Sequence, residues 1–408
     1  MENKVPILRF PEYNSEWQEA KFKDLLKINQ GLQIAISERF TKKVEGSYFY
    51  ITNEFLKESS KTTYYILNPP QSVLCSEDDI LMTRTGNTGQ VVTNVSGAFH
   101  NNFFKIKFDS NILKKEFLVY YLRLNKTQNL LLRLAGTSTI PDLNHSDFYR
   151  IDIIYPNLPE QTKIANFITA IDKRINLLQK KKTELERYKA GIMQKIFNQE
   201  IRFKDNNGND FPDWEEKTLG EIGSFQTSSV DKLSKDDEEQ VYLVNYMNVY
   251  RHENINNANR DKLQVVTAKE NQIKSSGLKK GDILFTPSSE TPDDIGHSVV
   301  IFEDLVNTLF SYHLMRFRPK IKLDLLYSHY FCNIPSVLKQ LSNFATGSTR
   351  FTISVGNFSK VNVNLPSFEE QQKIANFLNV IDKSIEKLIT QIEETIKFKQ
   401  GLLQKMFV

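Results

Sequence analysis

The 408-residue chain contains an internal duplication, which constrains its fold more than any other feature of the sequence. The segment EQTKIANFITAIDKRI, from Glu160, returns as EQQKIANFLNVIDKSI, from Glu370. The offset of 210 residues holds without a gap as far as Phe197 and Phe407, and 18 of the 38 aligned pairs are identical. A repeat of this length predicts two structural units with one architecture.

Outside these segments the two copies are similar only in places. The sequence DIL at 79–81 returns at 282–284, whereas residues 27–75 and 225–275 share almost nothing. Each unit therefore has a constant frame around a variable body. The run from Asp205 to Asp213 is rich in residues that favour turns, so it is the predicted linker between the units.

Each unit is predicted to be a mixed α/β body followed by one long helix. Runs rich in aromatic and β-branched residues predict strands at 47–53, 103–108, 241–250 and 313–318. The repeated segments instead place apolar residues at alternating steps of four and three, which is the periodicity of a coiled coil. The predicted seam consists of Ile164, Ile168, Ile171, Ile175, Leu178, Leu185, Ile192, Ile374, Leu378, Ile381, Ile385, Leu388, Ile392 and Leu402.

A seam this narrow must be covered by another helix, and the chain supplies a second one of matching length. We therefore predict that the two helices pair as an antiparallel coiled coil with pseudo-twofold symmetry, each spanning roughly 57 Å. A homodimeric coiled coil is the alternative that periodicity leaves open. Identical polar residues outside the seam, such as Glu160 and Gln161, predict equivalent outer surfaces for two copies of one partner, although capping and solvation would also explain them.

Composition excludes several functions. With 53 Lys and Arg against 49 Asp and Glu, the formal net charge is only +4, which excludes a uniformly cationic coat for nucleic acid. The two distant cysteines, Cys75 and Cys332, and six histidines without HxxxH spacing provide neither a disulfide framework nor a zinc site. The sequence also lacks an apolar leader and a long apolar window, which predicts a cytoplasmic protein.

The motif LPxxEEQxKIAxFLxxIDxxI, followed by a helix ending in GLLQKMF, resembles the DNA-specificity subunit of Type I restriction-modification systems. The similarity covers the whole chain, including the FPDW, GDIL and GST elements, although the first copy has NLPEQ where the second has SFEEQ. The resemblance implies a first target-recognition domain at 1–159, a central conserved helix at 160–200, a second target-recognition domain at 201–369 and a C-terminal conserved helix at 370–408.

The resemblance also implies a non-catalytic subunit in which each target-recognition domain reads one half of a bipartite DNA target. The helices would set the spacer between half-sites and dock two adenine-methylating subunits, and motor-nuclease subunits would complete an ATP-dependent endonuclease. No cofactor or metal is expected in this chain, since S-adenosylmethionine, ATP and Mg²⁺ would act through the partner subunits. Because the two bodies differ in sequence, we expect an asymmetric target.

Candidate DNA contacts lie in two pairs of corresponding loops and on two strands. The loop after the first DIL carries an Arg and an Asn, side chains suited to guanine and adenine edges, and two GST loops form the second pair. Basic residues that alternate with apolar ones on two strands suit phosphate contacts, or simply a solvated sheet face. The candidates are Arg84, Thr85, Asn87, Thr88, Lys105, Lys107, Thr137, Ser138, Thr139, Ser288, Ser289, Arg316, Arg318, Ser348, Thr349 and Arg350.

Two other classes of function remain open from the sequence. The run Asn68–Gln71, NPPQ, is similar to the (D/N)PP(Y/F) loop of amino-methyltransferases, but Gln71 replaces the aromatic residue and no glycine-rich cofactor loop precedes it. Pro-Asp pairs at 141, 212 and 292 lack the second element of a nuclease metal site, and a P-loop is absent. A scaffold that joins two protein-binding bodies is the third hypothesis.

Overall fold

The computed structural model describes residues 5–57, 59, 60, 62–136 and 139–408. The chain divides into two compact units. Unit 1 comprises Met1–Gln179 and Thr390–Val408, and unit 2 comprises Lys180–Ile389. Both long helices cross the boundary between these ranges, so each helix contributes one segment to each unit.

Unit 1 is a mixed α/β body built on two four-stranded sheets. Its strands are β1 Gln18–Lys21, β2 Leu26–Gln30, β3 Ser47–Ile51, β4 Tyr64–Leu67, β5 Leu74–Cys75, β6 Ile80–Thr83, β7 Val91–Val92, β8 Gly97–Phe99, β9 Phe103–Phe108 and β10 Asp152–Tyr155. Its helices are α1 Phe22–Leu25, α2 Lys115–Arg123, α3 Asn125–Ala135, α4 His145–Tyr149 and the first part of α5 Leu158–Phe197. The sheets have the orders β2-β9-β6-β7 and β4-β3-β8-β5, and β1 pairs with β10 next to the start of α5.

Unit 2 repeats this plan. Its strands are β11 Glu215–Thr218, β12 Gly223–Thr227, β13 Glu239–Val244, β14 Gln264–Ala268, β15 Ile283–Phe285, β16 Ser288–Ser289, β17 Ser298–Val300, β18 Thr308–Phe310, β19 Met315–Pro319, β20 Phe351–Thr352 and β21 Asn362–Leu365. Its helices are α6 Leu219–Ile222, α7 Tyr246–Tyr250, α8 Glu270–Ser276, α9 Leu325–Phe331, α10 Pro335–Phe344, α11 Val355–Ser359 and the first part of α12 Phe368–Met406. The main sheet, β12-β19-β15-β17, corresponds strand by strand to β2-β9-β6-β7, and β11 pairs with β21 as β1 does with β10.

The main core of each unit includes residues from both long helices. In unit 1, Ile164 and Ile168 of α5 are buried in one cluster with Leu402 and Met406 of α12. In unit 2, the buried Ile374 and Leu378 of α12 share a cluster with Ile192 of α5. In unit 1 the first part of α5 therefore packs with the last part of α12, and in unit 2 the first part of α12 packs with the last part of α5. Antiparallel helices produce this order of contacts. Coiled-coil geometry along the whole length stays a prediction.

The remaining seam residues are also withdrawn from solvent. Ile171, Ile175, Ile381, Leu388 and Ile392 are buried, whereas Leu178, Leu185 and Ile385 are half-buried. Lys189 and Lys399 interrupt the apolar seam at equivalent positions of its periodicity, and both form ion pairs. Lys399 Nζ lies 2.5 Å from Asp172 Oδ1 in unit 1, and Lys189 Nζ lies 2.5 Å from Asp382 Oδ1 in unit 2. These two pairs are equivalent under the 210-residue repeat.

The predicted strand at 241–250 is wrong in its second half. The strand β13 ends at Val244, and residues 246–250 form helix α7. Asn245 accounts for the change because it is the N-cap residue, and its backbone N–H donates to Asn248 Oδ1 (2.8 Å). Side-chain hydrogen bonds of this kind compete with the strand ladder, even where neighbouring residues favour a strand.

The prediction that Glu160 and Gln161 lie on an outer surface is also wrong, because both side chains are fully buried. Gln161 Nε2 donates to the carbonyl of Pro156 (2.8 Å), and its Oε1 accepts from the backbone N–H of Lys114 (2.8 Å). The repeat-equivalent Gln371 makes the same two contacts, with Pro366 (3.0 Å) and the backbone N–H of Asp324 (3.0 Å). These identities therefore preserve the junction between body and helix.

Candidate DNA-recognition site

In each unit the structure brings together the two loops that the sequence marks for DNA contact. In unit 1, Thr85 forms an antiparallel bridge with Asp142, and the backbone N–H of Leu143 donates to the carbonyl of Arg84 (2.9 Å). In unit 2, Ser288 pairs with Thr352, and the N–H of Ile353 donates to the carbonyl of Pro287 (2.9 Å). The two junctions correspond residue by residue, so each body presents one loop pair at the same place.

The unit 1 junction is held by side chains that the sequence assigns to DNA. Arg84 Nη2 donates to Asp142 Oδ2 (2.7 Å), and the Thr85 hydroxyl donates to the other carboxylate oxygen. Thr88 is buried, and its hydroxyl donates to the carbonyl of Pro141 (2.8 Å). Asn87 is exposed at the tip of this loop. Asn87 is therefore the residue of this loop best placed to reach a ligand.

The unit 2 junction borders a cleft of about 490 Å³. Tyr246 and Tyr250 line one side, with their rings stacked at a centroid distance of 5.8 Å. Tyr246 OH donates to the carbonyl of Ser288 (2.9 Å), which ties helix α7 to strand β16. The guanidinium of Arg350 lies at the cleft, where its Nη2 donates to Ser288 Oγ (3.2 Å). The cleft thus combines an aromatic surface with a cation in a defined position.

The remaining lining residues are Met247, Ser289, Glu290, Asp294 and Thr349. Asp294 is anchored from two sides, because it accepts from Tyr250 OH (3.1 Å) and lies 2.9 Å from His297 Nε2. The bond to Asp294 raises the pKa of Tyr250, and burial raises the pKa of Tyr246, so both phenols are neutral donors near neutral pH. The hydroxyl of Ser289 donates to the carbonyl of Thr291.

Three basic strand residues predicted to contact phosphate are engaged inside the protein. Lys105 is buried, and its ammonium donates to the carbonyl of Leu74 (2.6 Å). Arg316 is also buried and donates to the carbonyls of Ser275 and Gly277, both at 3.1 Å. Arg318 makes a bidentate pair with the buried Asp282, at 2.6 and 2.7 Å.

The strand positions explain why the alternating pattern was misleading. Lys105 lies on β9 and both arginines lie on β19, and each of these strands is the second of four in its sheet. The faces of these sheets are covered at these positions, because Lys105 reaches Leu74 of β5 in the other sheet of unit 1 and Arg316 reaches Ser275 of α8. Burial lowers the pKa of Arg316, whereas the bond to Asp282 raises the pKa of Arg318. These three residues are structural contacts in the described chain.

The other candidates divide by accessibility. Lys107, Thr139, Ser348, Thr349 and Arg350 are exposed. Ser288 and Ser289 are buried within the β16–β20 pair. Thr137 and Ser138 lie outside the described residues.

The sequence did not single out Tyr246, Tyr250, Glu290 or Asp294. The one available signal was the asparagine before YMNVY, which starts a helix and turns the two tyrosines onto one face, four residues apart. Glu290 lies in the loop after the second DIL, at the position that Asn87 holds in the first copy, so the repeat indicated the position but not the chemistry of its side chain.

The sequence motifs that were weighed for catalysis have structural surroundings that the described residues define. No group of three or more His, Cys, Asp or Glu side chains among them could hold a metal ion. The run NPPQ is a turn between β4 and the 3₁₀ helix Gln71–Val73, with Asn68 at a positive φ of 48°. Asp142 is engaged with Arg84 and Thr85. In the described part of the chain, no helix is long and apolar enough to cross a membrane.

Two corresponding α/β bodies, each with a loop pair at the same place and each joined to a long helix, define a class of duplicated two-domain recognition proteins. A sequence model described as the Type I restriction modification DNA specificity domain matches residues 14–187 and 212–397. The chain therefore belongs to the DNA-specificity subunits of type I restriction-modification systems.

Relatives agree with this assignment in sequence and in fold. The chain is 26% identical over 410 residues to the type I restriction enzyme MjaVIII specificity subunit of Methanocaldococcus jannaschii, covering 97% of this chain and 92% of the relative. The type I restriction-modification S subunit of M. genitalium has the same fold, with a TM-score of 0.58 and 16% identity over 99% of both chains. A chain from a structural study of complex assembly in the type I system gives a TM-score of 0.60 and 16% identity over 96% of this chain and 97% of the other.

Proposed function

We propose that each body of this specificity subunit reads one half of a bipartite, asymmetric DNA target through its loop pair. The observation that carries this proposal is the equivalent junction of the two loops in both units, Thr85 with Asp142 and Ser288 with Thr352. Two domains that bind different DNA sequences need loops in equivalent positions that carry different side chains, and the two junctions have this property. Arg350, Thr349 and Asn87 supply exposed hydrogen-bonding groups suited to base edges.

We further propose that the long helices set the spacer between the half-sites and dock two adenine-methylating subunits. A continuous 40-residue helix is about 60 Å long, more than one turn of B-DNA at about 34 Å. In the assembled complex, motor-nuclease subunits would bring ATP and Mg²⁺, and the methylating subunits would bring S-adenosylmethionine. This chain would contribute recognition without catalysis, and the complex would act in the cytoplasm.

The proposed function predicts the pattern of methylation that the chain directs. Co-expression of the chain with its methylating partner should modify adenines in one split, asymmetric motif across a host genome. Co-expression with a catalytically inactivated partner is the control and should modify none. Methylated adenines would be mapped by long-read sequencing. Methylation scattered over unrelated sequences would contradict the proposal. Binding of S-adenosylmethionine by the purified chain would instead support the methyltransferase hypothesis.

A further inference from the structure

Two side chains of opposite charge lie at the end of the unit 2 loop pair and line the same cleft. Strand β16 pairs with β20 so that Ser288 faces Thr352 and Ser289 faces Phe351. Glu290 directly follows β16 and Arg350 directly precedes β20, so both residues lie beside the end of this pairing, where the chain bends. Both Glu290 and Arg350 line the cleft.

These two side chains have opposite charges but do not neutralise each other. The structure describes no ion pair between them, and within the described chain Glu290 makes no side-chain hydrogen bond. Arg350 has one such bond, to Ser288 Oγ at 3.2 Å, which orients its planar group of donors. Both residues are exposed. A carboxylate beside DNA is repelled by phosphate, so at this position it is favourable only if it meets a hydrogen-bond donor.

We propose, on the basis of the proposed function, that Arg350 and Glu290 together read one G·C base pair in the half-site of unit 2. In the major groove, guanine presents the acceptors N7 and O6, and cytosine presents the N4 amino donor. Arginine donates bidentately to guanine, and glutamate accepts from cytosine N4. An A·T pair presents a different order of donors and acceptors, which this pair of side chains fits poorly.

The equivalent position of unit 1 has the complementary chemistry. The repeat offsets that relate Thr85 to Ser288 and Asp142 to Thr352 relate Asn87 to Glu290 and Ile140 to Arg350. Asn87 is exposed, and Ile140 is 62% exposed. Asparagine pairs bidentately with adenine N6 and N7, and an apolar side chain packs on the thymine methyl group. The same two positions therefore assign an A·T pair to the half-site of unit 1.

The test is a selection of DNA sequences with the full chain. Wild-type protein would be used to enrich duplexes from a random library, and binding would then be measured with the selected duplex and its single base-pair substitutions. Changing the assigned G·C pair should weaken wild-type binding roughly 5- to 150-fold. The double variant Glu290→Asn with Arg350→Ile should select A·T at that one position, and Asn87→Glu with Ile140→Arg should select G·C at the equivalent position of unit 1.

Two further variants keep the test decisive. Lys339→Ala removes an exposed positive charge from α10 of unit 2 and should leave every base preference unchanged. If the double variant enriches no sequence, the single variant Arg350→Gln is measured in its place. Glutamine pairs with adenine, so this variant should change the preferred base pair at the assigned position from G·C to A·T.

The outcomes separate this inference from the proposed function. If the wild-type chain, alone or with its methylating partner, enriches no sequence, the proposed function fails. If it enriches a split motif in which the variants at 290 and 350 alter no position, the assignment to these two residues is overturned while the proposed function stands.

Discussion

His100 is a half-buried histidine of unit 1 whose protonation opposes folding. Burial, together with the charge of Arg39, lowers the pKa of His100 to about 4. Its Nδ1 accepts from the backbone N–H of Asn102 (3.1 Å), a bond that the protonated ring would lose. In the unfolded chain the pKa returns to its ordinary value near 6.5. The unfolded state therefore takes up the proton first as the pH falls.

This histidine predicts an acid-sensitive component of the stability of unit 1. The stabilisation is present above pH 6.5 and is lost as the pH falls towards 4, with a decrease of about 3 kcal/mol in the free energy of unfolding. Trp17 reports on unit 1 once Trp214 is replaced by Phe, because these are the two tryptophans of the chain. Denaturant unfolding would be followed by fluorescence at several pH values. The variant His100→Asn should show a shallower dependence between pH 6.5 and 4, and equal slopes would contradict the prediction.

The role of Glu160 and Glu370 could not be predicted from the sequence around them. Both carboxylates are fully buried, and each accepts two bonds from one arginine: Arg9 at 2.7 Å twice, and Arg202 at 3.3 and 2.8 Å. A buried carboxylate must be paired, because its desolvation costs several kcal/mol. The repeat identified both glutamates as important. Their partners lie about 150 or more residues away in sequence, so local reasoning could supply only the helix dipole and solvation.

At the scale of elements, the sequence was most informative where the pattern is long. The two helices were predicted at 160–200 and 370–408, and they are found at Leu158–Phe197 and Phe368–Met406. Short elements were less predictable, because Lys105 on β9 and Arg316 on β19 are buried by the elements that cover their sheets, β5 and α8. Which element covers a sheet face depends on contacts distant in sequence, and the alternation of residues within one strand carries no information about them.

The long helices are attached to the bodies by a repeated group of three side chains. In unit 2, Asp382 of α12 accepts from Tyr330 OH of α9 (2.7 Å) and pairs with Lys189 of α5 (2.5 Å). In unit 1, Tyr120 OH donates to Asp172 (2.8 Å), which pairs with Lys399. Burial and the neighbouring Asp172 raise the pKa of Tyr120 to about 12, so the phenol keeps its proton as a donor. One carboxylate thus joins both helices to the body.

This arrangement predicts a measurable coupling between Lys189 and Asp382. Asp382→Asn should lower the free energy of unfolding of unit 2 by about 1 kcal/mol, because the amide still accepts from Tyr330 but no longer attracts the ammonium. Lys189→Met should have a similar effect, and the double variant should cost less than the sum of the two. Trp214 fluorescence in a Trp17→Phe background would measure all four proteins. Additive effects would show that the ion pair does not contribute, and the same cycle at Asp172 and Lys399 provides the matched comparison in unit 1.

At the scale of the whole molecule, the repeat separates constant parts from variable ones. The β1–β10 and β11–β21 pairs close the two bodies next to the starts of α5 and α12, and the buried Glu-Gln pairs lie at those same junctions. Between the strand pairs lie the variable segments and the loop pairs of the two junctions. A body can therefore be replaced between its closing strands without altering the helices, provided that the replacement preserves the backbone pairing and the contacts of the body with its helix, such as those of Lys114 with Gln161 and of Tyr120 with Asp172.

Exchange of one body should consequently change one half of the DNA target. Replacing residues 22–151 by the corresponding segment of another specificity subunit leaves Gln18–Lys21 and Asp152–Tyr155 paired, together with the unit 2 cleft. We expect the chimera, co-expressed with its methylating partner, to direct methylation to a split motif with a new first half, an unchanged second half and the original spacer. Exchange of residues 219–361 provides the reciprocal chimera, which should change only the other half. If either exchange altered both halves, the two bodies would not read independently, and recognition would belong to the assembled chain as a whole.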